Sequence, residues 1–452
     1  MDEQDFPRVL VISGTPFGRT TGTGITLSNL FEGWPKDRLA QIYTQDDEPA
    51  DDVCTRYLRL PVTSAPVELL LRHLLTKRGL TRVQVTSASA TLPTATARSA
   101  AVARLYSEMR AGADVSVFRV PHRLHDWVGQ FRPDVVYSVL GSVRMMRLSA
   151  EVAQAADRPL VPHFTDDWPS TLYTGGQLFG LARRSVDANL RKVLRFSPLG
   201  MGISQAMADE YESRYGRPFS VFGNSVDESG FAAAGSARPA SVPDDSPSHP
   251  VRLVYVGGLH LDRWQPLIDI ASALGSVDPR ARLVIHAPDA DLETFGDVLT
   301  ACPGVQLAGS VSSDQVPGIL AAADILVHIE SFDDAHRRYT RLSLSTKIPQ
   351  YMAAGRAILA YGPGEVASMK HIEAVRAGVV VGQEDPQALA AAVTKLTTDA
   401  AARNELGNNG YWFARRHHAK DLVAARFVDF LRSAGQPRQT AQPTGPDQRA
   451  SS

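Results

Sequence analysis

Short apolar runs separated by longer amphipathic stretches repeat along most of this chain. Residues 8–13 (RVLVIS) and 134–139 (DVVYSV) are rich in β-branched residues, and 159–164 (PLVPHF) is a short apolar run. Runs of that length and kind are expected of parallel strands buried on both sides. Residues 201–204 (MGIS) and 218–222 (PFSVF) read as two further, shorter strands. Between them ITLSNLFEGW, VPHRLHDWVGQF, LFGLARRSVDANLRKVLRF and QAMADEYESRYG carry helical spacing, as does VELLLRHLLTKRGL at 67–80. Residues 86–98 are rich in Ser, Thr and Ala and carry no firm pattern. From 228 to 250 the composition turns to Ala, Pro and Ser, as in a linker.

The strand–helix alternation then restarts. VRLVYV (251–256), RLVIH (282–286), 305–307, ILVHI (325–329), AILAY (357–361) and 379–381 read as strands. Helices are expected between them, with a last amphipathic helix, kinked, over 410–431. This pattern predicts two doubly wound α/β domains, 1–227 and 251–410, joined by a flexible linker at 228–250. A terminal helix at 411–432 and a disordered tail at 433–452, poor in core-forming residues, complete the expectation.

Composition narrows the function. At 452 residues the chain exceeds a single core. Its 47 Lys and Arg nearly balance 48 Asp and Glu, which argues against a dedicated nucleic-acid binder. The two cysteines, Cys54 and Cys302, imply neither a disulfide framework nor a zinc site and suit a cytoplasmic protein. The acidic start MDEQDFPR is unlike a signal peptide, and no apolar run is long enough to span a membrane.

Candidate chemistry concentrates at 341–363, RLSLSTKIPQYMAAGRAILAYGP. Ser345 or Thr346 is suited to cap a short helix, Pro349 falls in its first turn, and Gly355 suits its left-handed end. A helix start with Lys347 beside it can hold a diphosphate; the alternative is an ordinary helix with Lys347 in solvent. The loop at 14–26 (GTPFGRTTGTGIT) follows a strand and precedes a helix but does not match GxGxxG. There Gly22 and Gly24 either let the backbone approach a phosphate or sugar or form a flexible turn. His163, Asp166 and Asp167 follow a strand, where open α/β sheets bind ligands. The imidazole suits a sugar hydroxyl, and a carboxylate suits an acceptor hydroxyl; either aspartate could instead cap the next helix. Arg263 lies in the first βα loop of the second half, to pair with a phosphate or to sit on the surface. Glu330 ends a strand. The helix at 178–196 sets five cations against Asp187, a face for anionic lipid or simply for water.

The order of these motifs resembles the group 1, family 4-like bacterial glycosyltransferases of the GT-B fold. The Gly-rich first loop, PLVPHFTDDW, GISQAMADEYESRYG, VRLVYVGGL and STKIPQYMAAGRAILAYGP carry the resemblance over nearly the whole chain. It implies two Rossmann-like domains facing across a cleft, with the terminal helix crossing back to the first. It implies a nucleotide-diphosphate-sugar donor on the second domain and a lipid-linked or glycan acceptor on the first, in cell-surface glycan biosynthesis. By the same resemblance Arg263, Lys347, Ser345 and Thr346 hold the donor diphosphate. Gly22, Gly24, Glu330 and Gln350 line the donor ribose or sugar. His163, Asp166 and Asp167 serve the reacting centre. Retention at the anomeric carbon is expected, and no cofactor or metal ion. Peripheral contact with the inner membrane face is expected through the basic helix. The chain departs from the family at one point: a pair of glutamates common in relatives is replaced by Leu342 and Gln350. A sugar-nucleotide 2-epimerase and a non-catalytic partner of another transferase are the rival expectations.

Overall fold

The apolar runs assemble into two separate parallel sheets in a computed structural model that describes residues 5–18, 21–60, 97–116, 122–231 and 250–436. The first sheet contains β1 (Val9–Ser13), β2 (Leu39–Tyr43), β3 (Tyr57–Arg59), β4 (Val135–Val139), β5 (Leu160–Phe164), β6 (Gly200–Gly202) and β7 (Phe219–Val221). Its order is β3-β2-β1-β4-β5-β6-β7, every pair parallel. The second contains β8 (Arg252–Val256), β9 (Arg282–His286), β10 (Val305–Leu307), β11 (Ile325–Ile329), β12 (Ala357–Tyr361) and β13 (Gly378–Val381), ordered β10-β9-β8-β11-β12-β13. Both are doubly wound, so each has a switch point, between β1 and β4 and between β8 and β11. Loops at the carboxyl ends of those strands part there and leave a crevice.

β1, β2, β4, β5, β11 and β12 are buried at every position but Val139, as two-sided cover by helices requires. β2 and β3 were not anticipated: LAQIY follows directly on a 3₁₀ turn, Lys36–Arg38, and carries a polar Gln41. The Gln41 side chain is satisfied inside, accepting from the Phe17 N–H at 2.9 Å and donating to Ser13 Oγ at 2.8 Å. The amphipathic helix expected at 67–80 lies outside the described residues, as do most of the linker and the tail.

The expected kinked terminal helix is two helices, Ala400–His417 and Lys420–Gly435. The break has a backbone cause. Ala419 is extended and pairs with Val226: the Val226 N–H donates to His418 O at 2.8 Å, and the Lys420 N–H donates to Val226 O at 3.1 Å. The earlier helix packs on the second domain. Gly407 lies against the Gly355 carbonyl and the Arg356 backbone, and Gly410 against Met352. The later helix places Val423, Phe427, Val428 and Leu431 among Phe31, Trp34, Tyr137 and Phe222 of the first domain. The chain therefore crosses back, as GT-B geometry requires.

Because a Cβ at Gly407 would collide with backbone rather than with a yielding side chain, Gly407→Ala should destabilise the protein by about 1–3 kcal/mol. Urea denaturation of the variant checks this, with the midpoint falling.

Candidate active site

The second domain brings two cations together at its switch point. After β8 the chain turns through Gly257 at φ +149°, and a Cβ there would overlap the end of the Lys347 side chain. Glycine is needed for the conformation and for the approach. Lys347 opens the helix Lys347–Ala353 and reaches back over Tyr255, its Nζ 4.4 Å from the ring centroid and 3.0 Å from the phenol oxygen. Burial pushes the Lys347 ammonium down to about 7, the Arg263 charge adds to the fall, and Glu330 opposes it.

Arg263 lies in the loop before the helix Trp264–Val277, with its side chain 14% exposed and a guanidinium nitrogen 3.5 Å from Glu330. Glu330 follows β11 and is buried, its other carboxylate oxygen 3.5 Å from His328 Nε2. Burial alone would raise the Glu330 carboxyl, but Arg263 and His328 outweigh it and hold it at about 2. Burial would likewise lower Arg263, and Glu330 reverses that. Arg263 and Lys347 thus form a basic wall with Glu330 as its nearest carboxylate and Asp291 and Asp166 as weaker neighbours.

Asp166 comes to the same place from the first domain. Ser343 Oγ donates to its carboxylate at 3.1 Å. Burial raises its carboxyl, while hydrogen bonds from Ser343, Thr165 and Tyr339 and the charge of Arg263 pull the other way. Asp166, Ser343, Arg263, Glu330 and Lys347 therefore form one cluster spanning the cleft. Tyr255, Ser343 and Tyr339 were missed in the sequence, where each follows or precedes more conspicuous residues and nothing in its spacing sets it apart.

The other sequence-picked residues are placed differently. His163 is not in the cluster. Its Nδ1 takes the Tyr137 hydroxyl at 2.5 Å and its Nε2 donates to Phe222 O at 2.9 Å, so both ring nitrogens are engaged within the first domain. Burial lowers this imidazole to about 4, against the Phe222 carbonyl, which keeps it neutral. Asp167 is buried and accepts from Tyr211 at 2.8 Å, Ser170 at 3.0 Å and Arg214 at 3.1 Å. Its backbone N–H donates to Tyr339 O at 3.2 Å and Arg341 stands 3.7 Å away, so it joins the domains structurally.

The expected cap at Ser345 or Thr346 does not form. Thr346 is already helical, at φ −60° and ψ −16°, and a capping hydroxyl needs an extended residue to swing it onto the first turn. Ser345 instead accepts Ile348 N–H on its carbonyl at 3.1 Å and donates its own N–H to Ser368 Oγ at 3.1 Å. Gly22 and Gly24 fall in the first turn of the helix Gly22–Phe31, capped by Thr21, whose Oγ1 accepts from the Gly24 N–H at 3.1 Å. Gly24 is crowded, because a Cβ would stand 3.1 Å from Pro16 O, whereas Gly22 faces open space. Gln350 is half-buried, one turn beyond Lys347 on the same helix. Among the described residues no group of three or more His, Cys, Asp or Glu is placed to hold a metal ion.

Two facing Rossmann-like domains with a returning terminal helix define the GT-B fold, and comparison with known proteins agrees. Residues 250–399, the stretch that carries Arg263, Glu330 and Lys347, match the family model of glycosyl transferases group 1. No curated protein sequence matches the chain. Among solved structures, sucrose-phosphate synthase from Thermosynechococcus elongatus superposes with a TM-score of 0.61 at 13% identity, covering 94% of this chain and 98% of that one. HepE from Anabaena, solved with UDP and glucose, gives 0.59 at 14% identity over 94% of this chain and 100% of its own. WaaG, a glycosyltransferase involved in lipopolysaccharide biosynthesis, gives 0.52 at 14% identity over 94% and 99%.

The depressed Lys347 pKa has a measurable consequence. Between about pH 7 and its ordinary 10.5, the folded state holds the amine neutral while the unfolded state binds a proton. The unfolded state then binds more protons, so this group's contribution to stability rises with pH across that window. Wild-type stability should therefore gain on that of Lys347→Met between pH 7 and 9.5, read by urea denaturation of both proteins. A constant difference would place the ammonium in solvent.

Proposed function

We propose that this protein is a glycosyltransferase that moves a sugar from a nucleoside-diphosphate donor to a lipid-linked or glycan acceptor in cell-surface glycan assembly. The observation that carries the reading is the pair Arg263 and Lys347, two enclosed cations with one close carboxylate at the switch point of the second sheet. When the bond from the anomeric carbon to the diphosphate breaks, negative charge grows on the leaving phosphate. Preorganised cations stabilise that charge more than they stabilise the ground state, because it is larger in the transition state. In this mechanism Arg263 and Lys347 carry the leaving charge without a metal ion. Approach of the diphosphate also restores the Lys347 proton, since a neighbouring anion favours the charged amine.

Asp166 faces this wall from the acceptor side and is suited to accept the hydrogen bond of the incoming hydroxyl. Retention is the stereochemical outcome proposed, on the strength of the family resemblance. HepE, solved with UDP-glucose, supports a uridine donor class as the first to try.

The acceptor proposal extends to a membrane surface. Among the described residues no helix is long and apolar enough to cross a membrane. Yet Phe179 is fully exposed and Leu181 is 58% exposed at the head of the helix Leu181–Arg195. Arg184, Arg191, Lys192 and Arg195 of that helix are exposed, while Arg183 is tied to Asp187 and the Pro169 carbonyl. Apolar side chains beside a basic face are the chemistry of an anionic bilayer surface.

Thermal shift with UDP, GDP, dTDP and ADP tests the donor site. One nucleotide should raise Tm by mass action, and Lys347→Ala should abolish the rise. No shift with any of the four overturns the transferase reading in favour of a partner role. The membrane contact is tested separately by co-sedimentation with phosphatidylglycerol vesicles. The wild type should pellet, Phe179→Ser/Leu181→Ser should stay in solution, and added salt should release the wild type.

A further inference from the structure

Residues 339–343 belong to the second domain by sequence but divide their contacts between the two. They run from the end of the helix Asp334–Thr340 into the turn before the helix Lys347–Ala353. Buried backbone carbonyls need partners, and here the partners come from both sides. Tyr339 O accepts from the Asp167 N–H at 3.2 Å and Leu342 O from Ser204 Oγ at 2.6 Å, both in the first domain. Arg341 O accepts from the Ala367 N–H at 2.9 Å and Ser343 O from Ser368 Oγ at 3.1 Å, both in the second.

The side chains follow the same division. Leu342 is 5% exposed and sits in the first domain's core, with Tyr339 packed against that core. Leu344, two residues on, is buried in the second domain's core with Ile348 and Met352. A leucine of one domain therefore plugs the core of the other, and apolar burial of this kind is the main favourable term in such contacts. Arg341 adds less, because it meets Glu210 at 3.5 Å with both side chains open to water, at 42% and 39% exposure. Ser204 has two roles. Extended at φ −139°, it caps the helix Gln205–Tyr215 by accepting from the Met207 N–H at 3.0 Å, and the same hydroxyl gives its proton to Leu342 O. Ser343, next along the segment, donates to Asp166 across the cleft.

We propose that residues 339–343 are a strap that holds the two domains closed with no ligand bound, with Leu342 as its plug and Ser204 as its clasp. Domains of one chain move relative to each other by default unless an apolar interface joins them. Here a plug, and carbonyls shared between the domains, join them. Opening the cleft would draw Leu342 into water and part Leu342 O and Tyr339 O from their first-domain donors. Closure then precedes the arrival of any ligand. Ser204 and Leu342 act as positioning residues, keeping Ser343 against Asp166 without touching a substrate. The proposal does not depend on the transferase reading.

Small-angle X-ray scattering and amide hydrogen exchange on the full, ligand-free chain test it. The wild type should scatter as the closed arrangement, and the Asp167 N–H, donated across the cleft to Tyr339 O, should exchange slowly. Leu342→Asp removes the plug. Ser204→Asp keeps the helix cap, since a carboxylate also accepts from the Met207 N–H, but sets a negative oxygen against Leu342 O. Both variants should have a larger radius of gyration than the wild type. In both, the Asp167 N–H should exchange at least about tenfold faster, as loss of a cross-domain contact requires. Ser204→Thr can both cap and donate and should match the wild type. Far-UV circular dichroism should be the same for all four proteins; should Leu342→Asp fail to fold, Ser204→Asp decides. A ligand-free wild type as expanded as the strap variants, with rapid exchange at Asp167, overturns the proposal. So do folded strap variants as compact and as slow to exchange as the wild type. Equal expansion in Ser204→Thr and Ser204→Asp overturns the clasp.

Discussion

Holding two positive side chains beside each other, partly out of water, is the constraint around which the second domain is arranged. Arg263 and Lys347 repel each other and each loses hydration on burial. Three devices make the pair tolerable. Glu330, placed at the end of a buried strand, supplies the compensating charge. The Tyr255 ring receives the Lys347 ammonium on its face, and its oxygen accepts a hydrogen bond. Gly257 removes the side chain that would otherwise fill the space. Burial, with the Arg263 charge behind it, outweighs this compensation and brings the amine down to about 7. A phosphate-sized anion would supply the missing charge.

The first domain answers this wall with a different economy. Asp166 and Asp167 are adjacent, yet only Asp166 reaches the cluster. Asp167 is absorbed by Tyr211, Arg214, Ser170 and the chain at Tyr339–Arg341. Successive residues leaving a strand point in different directions, so one carboxylate serves the cleft while its neighbour anchors the domain contact. His163 falls to the interior for a similar reason: it is still inside β5 and points to the face covered by the Lys420–Gly435 helix, beside Tyr137 and Phe222.

The fold was legible in the chain because buried parallel strands announce themselves as unbroken apolar runs. β1, β4, β5, β8, β9, β11 and β12 all do so. β2 hides behind Gln41, whose amide is satisfied only by groups distant in sequence. The stretch Asp334–Thr340 has no apolar run to mark it, yet it is a helix capped by Asp333, because its exposed face is charged and only His336 and Thr340 turn inward. The grouping of Arg263, Glu330 and Lys347 has local signs as well, since each stands at a recognisable strand end or helix start. What local sequence could not show was which polar residues spend their hydrogen bonds inside the protein. His163, Asp167 and Thr346 all looked free, and tertiary partners or backbone angles settled each one.

The pairing of Val226 with Ala419 sets how the two domains can move. The chain leaves the first domain near Val226, and Phe231 already packs in the second. It returns at Ala419, and Val423 is already back among first-domain residues. The two passages lie side by side and are hydrogen-bonded to each other, like the leaves of a single pivot. A twin-stranded pivot resists sliding and twisting and leaves bending as the easy mode. Bending there would change the separation of Asp166 and Arg263, which stand on opposite domains, while the hydrogen-bonded passages at Val226 and Ala419 stay together.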